Sequence, residues 1–193
     1  MYKGDSLYLQ KISLSDIDDN VINWFNDDDL MKFYTNSKNK ISRETLLNSI
    51  VEGEKNGNMF TYGIFYIENN ELIGTIKIGP INFHHLTSDM VVLIGNKNYH
   101  GKGLAVEAIK IGNILAFEKY KIRKLYGGMY ESNIASLKAY TKAGWIIEGR
   151  LKGQFLVNQV KEDRILVACF NPLHFSEQEI QILKSNESRY YQF

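Results

Sequence analysis

The sequence predicts a layered α/β or α+β domain, one mixed sheet with helices on its faces. Two observations lead there. Short runs of alternating or continuous apolar residues are interleaved with stretches whose apolar residues recur every three to four positions, in the order β-α-α-β-β-β-α-β-α-β-β. The 193 residues contain only two prolines, Pro80 and Pro172, and no linker, repeat or low-complexity segment, so the chain reads as one domain over 1–193. Its core is expected over about 7–170, with a tail over 171–193.

Taken in order, LYLQKIS (7–13) alternates and gives the first strand. Ser13 and Asp16 have the spacing of a capping box, which predicts a first helix through IDDNVINWF with Ile17, Val21, Trp24 and Phe25 on one face. A second helix is expected over about 42–51, ending before Gly53. MFTYGIFYIENNELIGTIKIG gives two strands around the turn pair Asn69-Asn70, and DMVVLIG (89–95) gives another. Beyond Gly103 the period becomes helical through Leu104, Ala108, Ile111 and Leu115, widened by Ala105, Ile109 and Phe117. KLYGGMYE is a strand, and NIASLKAYTKAG a helix closed by Gly144 at a C′ position. GRLKGQFLV and DRILVACF form a hairpin across Asn158-Gln159. Ser176 and Glu179 cap a short tail helix whose Ile180, Ile182 and Leu183 pack on the body.

Formal net charge is +1, from 23 basic and 22 acidic residues, so no global field holds nucleic acid or an anionic membrane. The single cysteine, Cys169, lies in an apolar run and can form no internal disulfide; it reads as a buried small hydrophobe. MYKGDSLYLQ lacks an apolar signal core, and no apolar run approaches the ~20 residues that span a bilayer. A soluble cytoplasmic protein, monomer or homodimer and without a metal, is the expectation.

The most informative stretch is NKNYHGKGLAVEAI (96–109). A P-loop would need one residue fewer between Gly95 and Gly101 and a hydroxyl after the lysine, where Gly103 stands; a dinucleotide fingerprint would need a glycine at Val106. What remains is a strand end, a glycine-bearing loop and a helix N-terminus suited to an anion such as pyrophosphate, or simply a tight strand-to-helix turn.

The stretch YHGKGLA (99–105) resembles the acyl-CoA loop of the GNAT N-acetyltransferases, and NIASLKAYTKAGW (133–145) resembles their second signature, an Asn followed seven residues on by Tyr. The two occur in the family's order, and the resemblance extends over about 7–170, closest to the branch of ribosomal-protein and amino-sugar acetyltransferases; the tail after Pro172 lies outside it. The resemblance implies a central, mostly antiparallel sheet of about seven strands flanked by four helices, and direct acetyl transfer from acetyl-CoA to a primary amine. It implies that main chain from Gly101 to Val106, through Lys102, Gly103, Leu104 and Ala105, holds the CoA pyrophosphate, with His100 where Gln or Arg is usual. Leu93, Ile94 and Gly95 would pair with the pantetheine, and Asn133 would bond CoA or cap its helix. Tyr140, two turns beyond Asn133 on the same face, would be the general acid, a phenol of pKa about 10 serving a thiolate whose free pKa is about 8.5.

The position of a catalytic glutamate in some relatives is Gly128, so no base carries over. His84 and His85 are candidate bases, with Asp89, Glu131 and a water chain as alternatives. Trp24, Asn26 and Asp27, in the acidic segment SDIDDNVINWFNDDD, are candidate substrate residues. By resemblance to the sugar branch the acceptor is expected to be a nucleotide-linked amino sugar. The alternatives are a polyamine or a protein N-terminus, or a non-catalytic acyl-CoA sensor.

Overall fold

The computed structural model describes residues 1–34 and 40–191. Its strands are β1 (Tyr2–Lys3), β2 (Leu7–Lys11), β3 (Phe60–Tyr66), β4 (Glu71–Asn82), β5 (Thr87–Ile94), β6 (Lys124–Tyr130), β7 (Ile146–Val157) and β8 (Val160–Phe170). Its helices are α1 (Asp19–Asn26), α2 (Asp28–Met31), α3 (Arg43–Lys55), α4 (Leu104–Lys119), α5 (Ile134–Lys142) and α6 (Glu177–Ser185). The strands form one sheet in the order β1-β2-β3-β4-β5-β6-β8-β7. Every neighbouring pair is antiparallel except β5 and β6, which the crossover helix α4 makes parallel.

The sheet has eight strands where about seven are expected. The extra one, β1, pairs only Tyr2 with Leu9 and Lys3 with Tyr8, too short for any periodicity to register. Beyond the four helices of that order and the tail helix α6, the single turn α2 is the helix that the sequence does not predict.

Two helix boundaries differ from expectation, each for a local reason. The Ser13–Asp16 capping box forms, but it closes a 3-10 turn over Leu14–Asp16; α1 starts later, where the Asp18 carboxylate accepts from Val21 N at 2.9 Å. Helix α3 continues through Gly53 because that residue is buried against Met59, with no room for a side chain, and the helix stops only before Gly57 at φ 70°.

One core lies between the sheet and α4–α5. Leu7, Leu9, Ile64, Ile76 and Ile78 meet Ala108, Ile111 and Leu115, and Gly112 lacks a side chain where Ile76 and Met90 press on α4. Glu107, in the first turn of α4, accepts from Ser6 N (2.7 Å) and Leu7 N (3.0 Å), which fixes the helix start against the β1–β2 turn. A second cluster, Ile12, Ile17, Val21, Leu46 and Ile50, seats α1 and α3. In the tail, α6 opens on the Ser176–Glu179 capping box, and Ile180 and Leu183 cover Ile146, Ala168 and Phe170, whereas Ile182, also expected to pack, is exposed because it lies on the outer face of the helix. No helix among the described residues is long and apolar enough to cross a membrane.

Candidate active site

The functional geometry begins with an incomplete strand pair. Strands β5 and β6 are joined only at Thr87–Lys124, Ser88–Leu125 and Asp89–Tyr126. Beyond that point β5 stays on β4 as far as Ile94, while β6 stays on β8 as far as Tyr130, so the sheet forks. Each wall of the fork then carries main-chain groups with no strand between them, a ready partner for an extended amide-bearing ligand. Gly95 N donates to Ile73 O, and the carbonyl of Leu93 turns toward Gly74, so alternate residues of β5 face β4. The groups facing the fork are therefore those of Met90, Val92 and Ile94.

Tyr140 closes the fork at its root. Its hydroxyl donates to Met90 O at 3.0 Å and receives the Val92 N–H, while the ring stands edge-on to Trp145 with centroids 4.8 Å apart. Trp145 is in turn fixed by its Nε1 bond to Asn113 Oδ1 (3.0 Å), and Asn113 holds the end of α5 through Ala143 O. Burial pushes the Tyr140 phenol well above its ordinary range, so it is a protonated acid throughout the neutral range. Asn133 caps α5, accepting from Ser136 N at 3.2 Å, two turns before Tyr140.

The mouth of the fork is the glycine stretch. Gly101 (φ 74°) and Gly103 (φ 78°) both take left-handed conformations, and nothing stands within 4 Å of where their side chains would be. Val106 N and Glu107 N bond to Gly103 O, so α4 starts at the loop and leaves its first N–H groups facing outward, an anion site with open access. The loop is pinned by Tyr99, whose hydroxyl donates to Glu71 Oε2 at 2.7 Å. His100, although exposed, bonds Ile94 O through its ring at 2.8 Å, and Lys102 is exposed over the Tyr99 ring.

Across the fork lies a group of side chains that sequence reasoning missed or underrated. Phe33, Tyr130 and Phe155 stand in line, with centroids 5.8 Å and 4.0 Å apart. The Arg164 guanidinium lies over the Phe155 ring and fills the space of a side chain at Gly128, with Cζ and Nη2 2.7 Å from where its Cβ would be. Arg164 Nε is buried and has no hydrogen-bond partner among the described residues. Asp89, the last paired residue of β5, has its carboxyl raised by burial, an effect opposed by the Met90 N–H, Lys77 and Arg164. Only the glycine at 128 pointed here: a strand position with no side chain marks close approach of another group.

Other expected residues lie elsewhere. His84 and His85 are exposed in the β4–β5 turn, at the closed end of the fork; three residues of strand, roughly 10 Å, separate Thr87 from Met90. Glu131 is held by Arg150 Nη2 at 2.6 Å. Asn26 makes both of its amide bonds to the Ile41 backbone, at 2.9 and 2.8 Å, and Asp27 caps α2 and pairs with Lys97. Trp24 lies flat on Gly95, which has no room for a side chain there. Trp24 and Asp27 line a cleft of about 510 Å³ with Asp16, Asp18 and Glu71, roughly 16 Å along the strand from Met90. No group of three or more metal-ligating side chains occurs among the described residues.

Comparison with known proteins gives the family. Residues 6–146 match the model of the acetyltransferase (GNAT) domain. The chain is 26% identical over 180 residues to "Probable N-acetyltransferase YjcK" of Bacillus subtilis (strain 168), covering 89% of this chain and 98% of that one. It is 28% identical over 114 residues to spermidine N(1)-acetyltransferase of Escherichia coli (strain K12), covering 58% and 61%. Among solved structures, spermidine N-acetyltransferase from Vibrio cholerae in complex with CoA and spermine superposes with a TM-score of 0.78 at 18% identity, over 91% of this chain and 98% of that one. The match takes in both the glycine loop at the mouth of the fork and the tyrosine at its root, and it makes this chain an acyltransferase of the GNAT N-acetyltransferase family.

Proposed function

We propose that this enzyme transfers acetyl from acetyl-CoA directly to a primary amine of a polyamine. The observation that carries the donor half is the fork: a β5 edge that β6 leaves, an anion site at its mouth on Gly101 and Gly103, and a protonated hydroxyl at its root on Tyr140. The main chain of Gly101–Val106 would hold the pyrophosphate, and the Val92 carbonyl and the Ile94 N–H, on the edge of β5 that faces the fork, would bond the pantetheine amides. Leu93 and Gly95, which face β4, would support that wall from behind, and His100 would hold it at Ile94 O. Tyr140 would return a proton to the departing thiolate.

The acceptor half rests on chemistry. An ammonium is attracted by the aromatic rings of Phe33 and Tyr130 and by the carboxylate of Asp89. Spermidine and spermine stand in the names of two similar proteins, whereas the nucleotide-linked amino sugar expected from the sequence has no support from them. One observation favours a second reading: the unpartnered Nε of Arg164 suits an amine-bearing acceptor that also carries an anionic group.

The test is thiol release from acetyl-CoA across spermidine, spermine, nucleotide-linked amino sugars and N-terminal peptides. The expected result is highest kcat/KM with the polyamines. Turnover only of the sugars would establish the anionic-acceptor reading, and turnover only of peptides would sink both; binding of acetyl-CoA with no turnover would mark a sensor.

A further inference from the structure

A neutral amine is the nucleophile in acetyl transfer, so an ammonium must first lose a proton. The other positions for that base are spent: Gly128 has no side chain and Arg164 fills its space, Glu131 is bound to Arg150, and His84 and His85 are at the closed end of the fork. We propose that Asp89 is the proton acceptor of the reaction, with Lys77 and Arg164 as the cations that face its carboxylate. The assignment rests on the enzyme's being an amine acetyltransferase.

Three features of the geometry carry it. Asp89 is the residue at which the β5–β6 pairing ends, so it stands at the root of the fork, next to the carbonyl of Met90 that receives the Tyr140 hydroxyl. The neighbouring wall is glycine at both 127 and 128. A Cβ at 127 would stand 3.7 Å from Asp89 Oδ1, so the carboxylate lies directly beside β6 at Gly127. The charged and titratable groups around it come from four elements: Lys77 on β4, Arg164 on β8, Tyr34 after α2 and Tyr140 on α5. The two cations favour the carboxylate, burial opposes it, and the balance makes Asp89 a stronger base than an exposed aspartate.

The Asp89 carboxylate takes one proton from R–NH3+ and later yields it to solvent. The freed nitrogen lone pair forms the C–N bond at the thioester carbonyl, and collapse of the adduct breaks the C–S bond. The thiolate receives the Tyr140 proton, and the tyrosine is restored by the second nitrogen proton, leaving amide, free thiol and one proton.

The test compares parent, Asp89→Asn, Asp89→Glu and Arg164→Met with spermidine. The expected result for Asp89→Asn is a loss of about 10²-fold or more in kcat with acetyl-CoA KM changed less than about twofold, and disappearance of the acid limb of the kcat–pH profile. Asp89→Glu should recover part of the rate, and Arg164→Met should move the acid limb to higher pH, because losing the cation favours the protonated acid. A kcat within about threefold of the parent for Asp89→Asn, or an unchanged acid limb, overturns the assignment. If Asp89→Asn does not fold, the Arg164→Met limb decides, and an unshifted limb overturns it. If the parent acetylates no amine, the acceptor reading fails on its own. Asp89 is then judged on the slow hydrolysis of acetyl-CoA, where water is the nucleophile; a rate unchanged by Asp89→Asn overturns the proposal.

Discussion

Replacing Tyr140 by Phe removes one oxygen and little else, since the ring that stands edge-on to Trp145 at 4.8 Å is retained. The lost hydroxyl donates to Met90 O at 3.0 Å and accepts from Val92 N–H, so the variant leaves two main-chain groups of β5 without that partner. Leaving such groups unsatisfied costs about 1–3 kcal/mol, which in a chain of this length lowers the melting temperature by about 2–4 °C per kcal/mol. The chemical cost is separate and larger. Loss of a general acid lowers kcat by about 10²–10⁴-fold, or roughly 3–5 kcal/mol of transition-state stabilisation. Calorimetric melting, acetyl-CoA affinity by titration calorimetry and kcat by thiol release measure the three quantities independently. The expected pattern is a few degrees lost in melting, affinity within about twofold, and kcat down at least about 10²-fold. Melting lowered with kcat within about threefold of the parent would refute the reasoning and leave Tyr140 a packing residue whose hydroxyl only satisfies β5.

Other expectations follow from single contacts. Gly95→Ala drives a methyl into the Trp24 ring and should cost about 1–3 kcal/mol by denaturant melt; retention of full stability would mean that α1 is not seated on Gly95. Gly103→Ala meets no neighbour, so its cost is the left-handed φ of 78°, about 1 kcal/mol, and a rise in acetyl-CoA KM beyond what that strain explains would report main chain meeting the pyrophosphate. The Asp163 carboxyl is held far below its ordinary value of 3.8 by Gly153 N–H, Arg150 and Lys152. A folded value below the unfolded one stabilises above pH 3.8, and the effect is lost as pH falls below it. The melting difference between parent and Asp163→Asn should therefore be largest near neutrality and shrink in acid; a difference constant with pH would show that the ion pair contributes nothing.

Local signals were the legible ones. The helix beginning after Gly103, the helix ending before Gly144 and the Asn158-Gln159 hairpin each depend on a few adjacent residues, and each forms as the pattern requires. The Ser13–Asp16 pair was legible as a capping box but not as the cap of a 3-10 turn, because both begin with the same two hydrogen bonds. The fork was illegible for a different reason. Where β5 leaves β6 is a matter of register between strands separated by a whole crossover helix, and neither strand's periodicity changes there. The same distance hid the convergence of Asp89, Gly128 and Arg164, which come from three strands, and the contact of Trp24 with Gly95. Trp24 and Asp27 read as substrate residues because acid and aromatic side chains coincide there; in the fold Asp27 caps α2, Trp24 covers Gly95, and both line a cleft away from the root of the fork. Cys169 is the converse case: an apolar neighbourhood in sequence is an apolar neighbourhood in space, and burial pushes its thiol up to about 12.

The central claim is that acetyl passes from the thioester to the amine inside one fork that holds both substrates at once. Initial rates of thiol release with acetyl-CoA and spermidine both varied test it most directly. Intersecting double-reciprocal lines, with one acetylspermidine formed per thiol released, are the predicted result. Parallel lines with an acetylated enzyme, or thiol release that no amine accelerates, would contradict it.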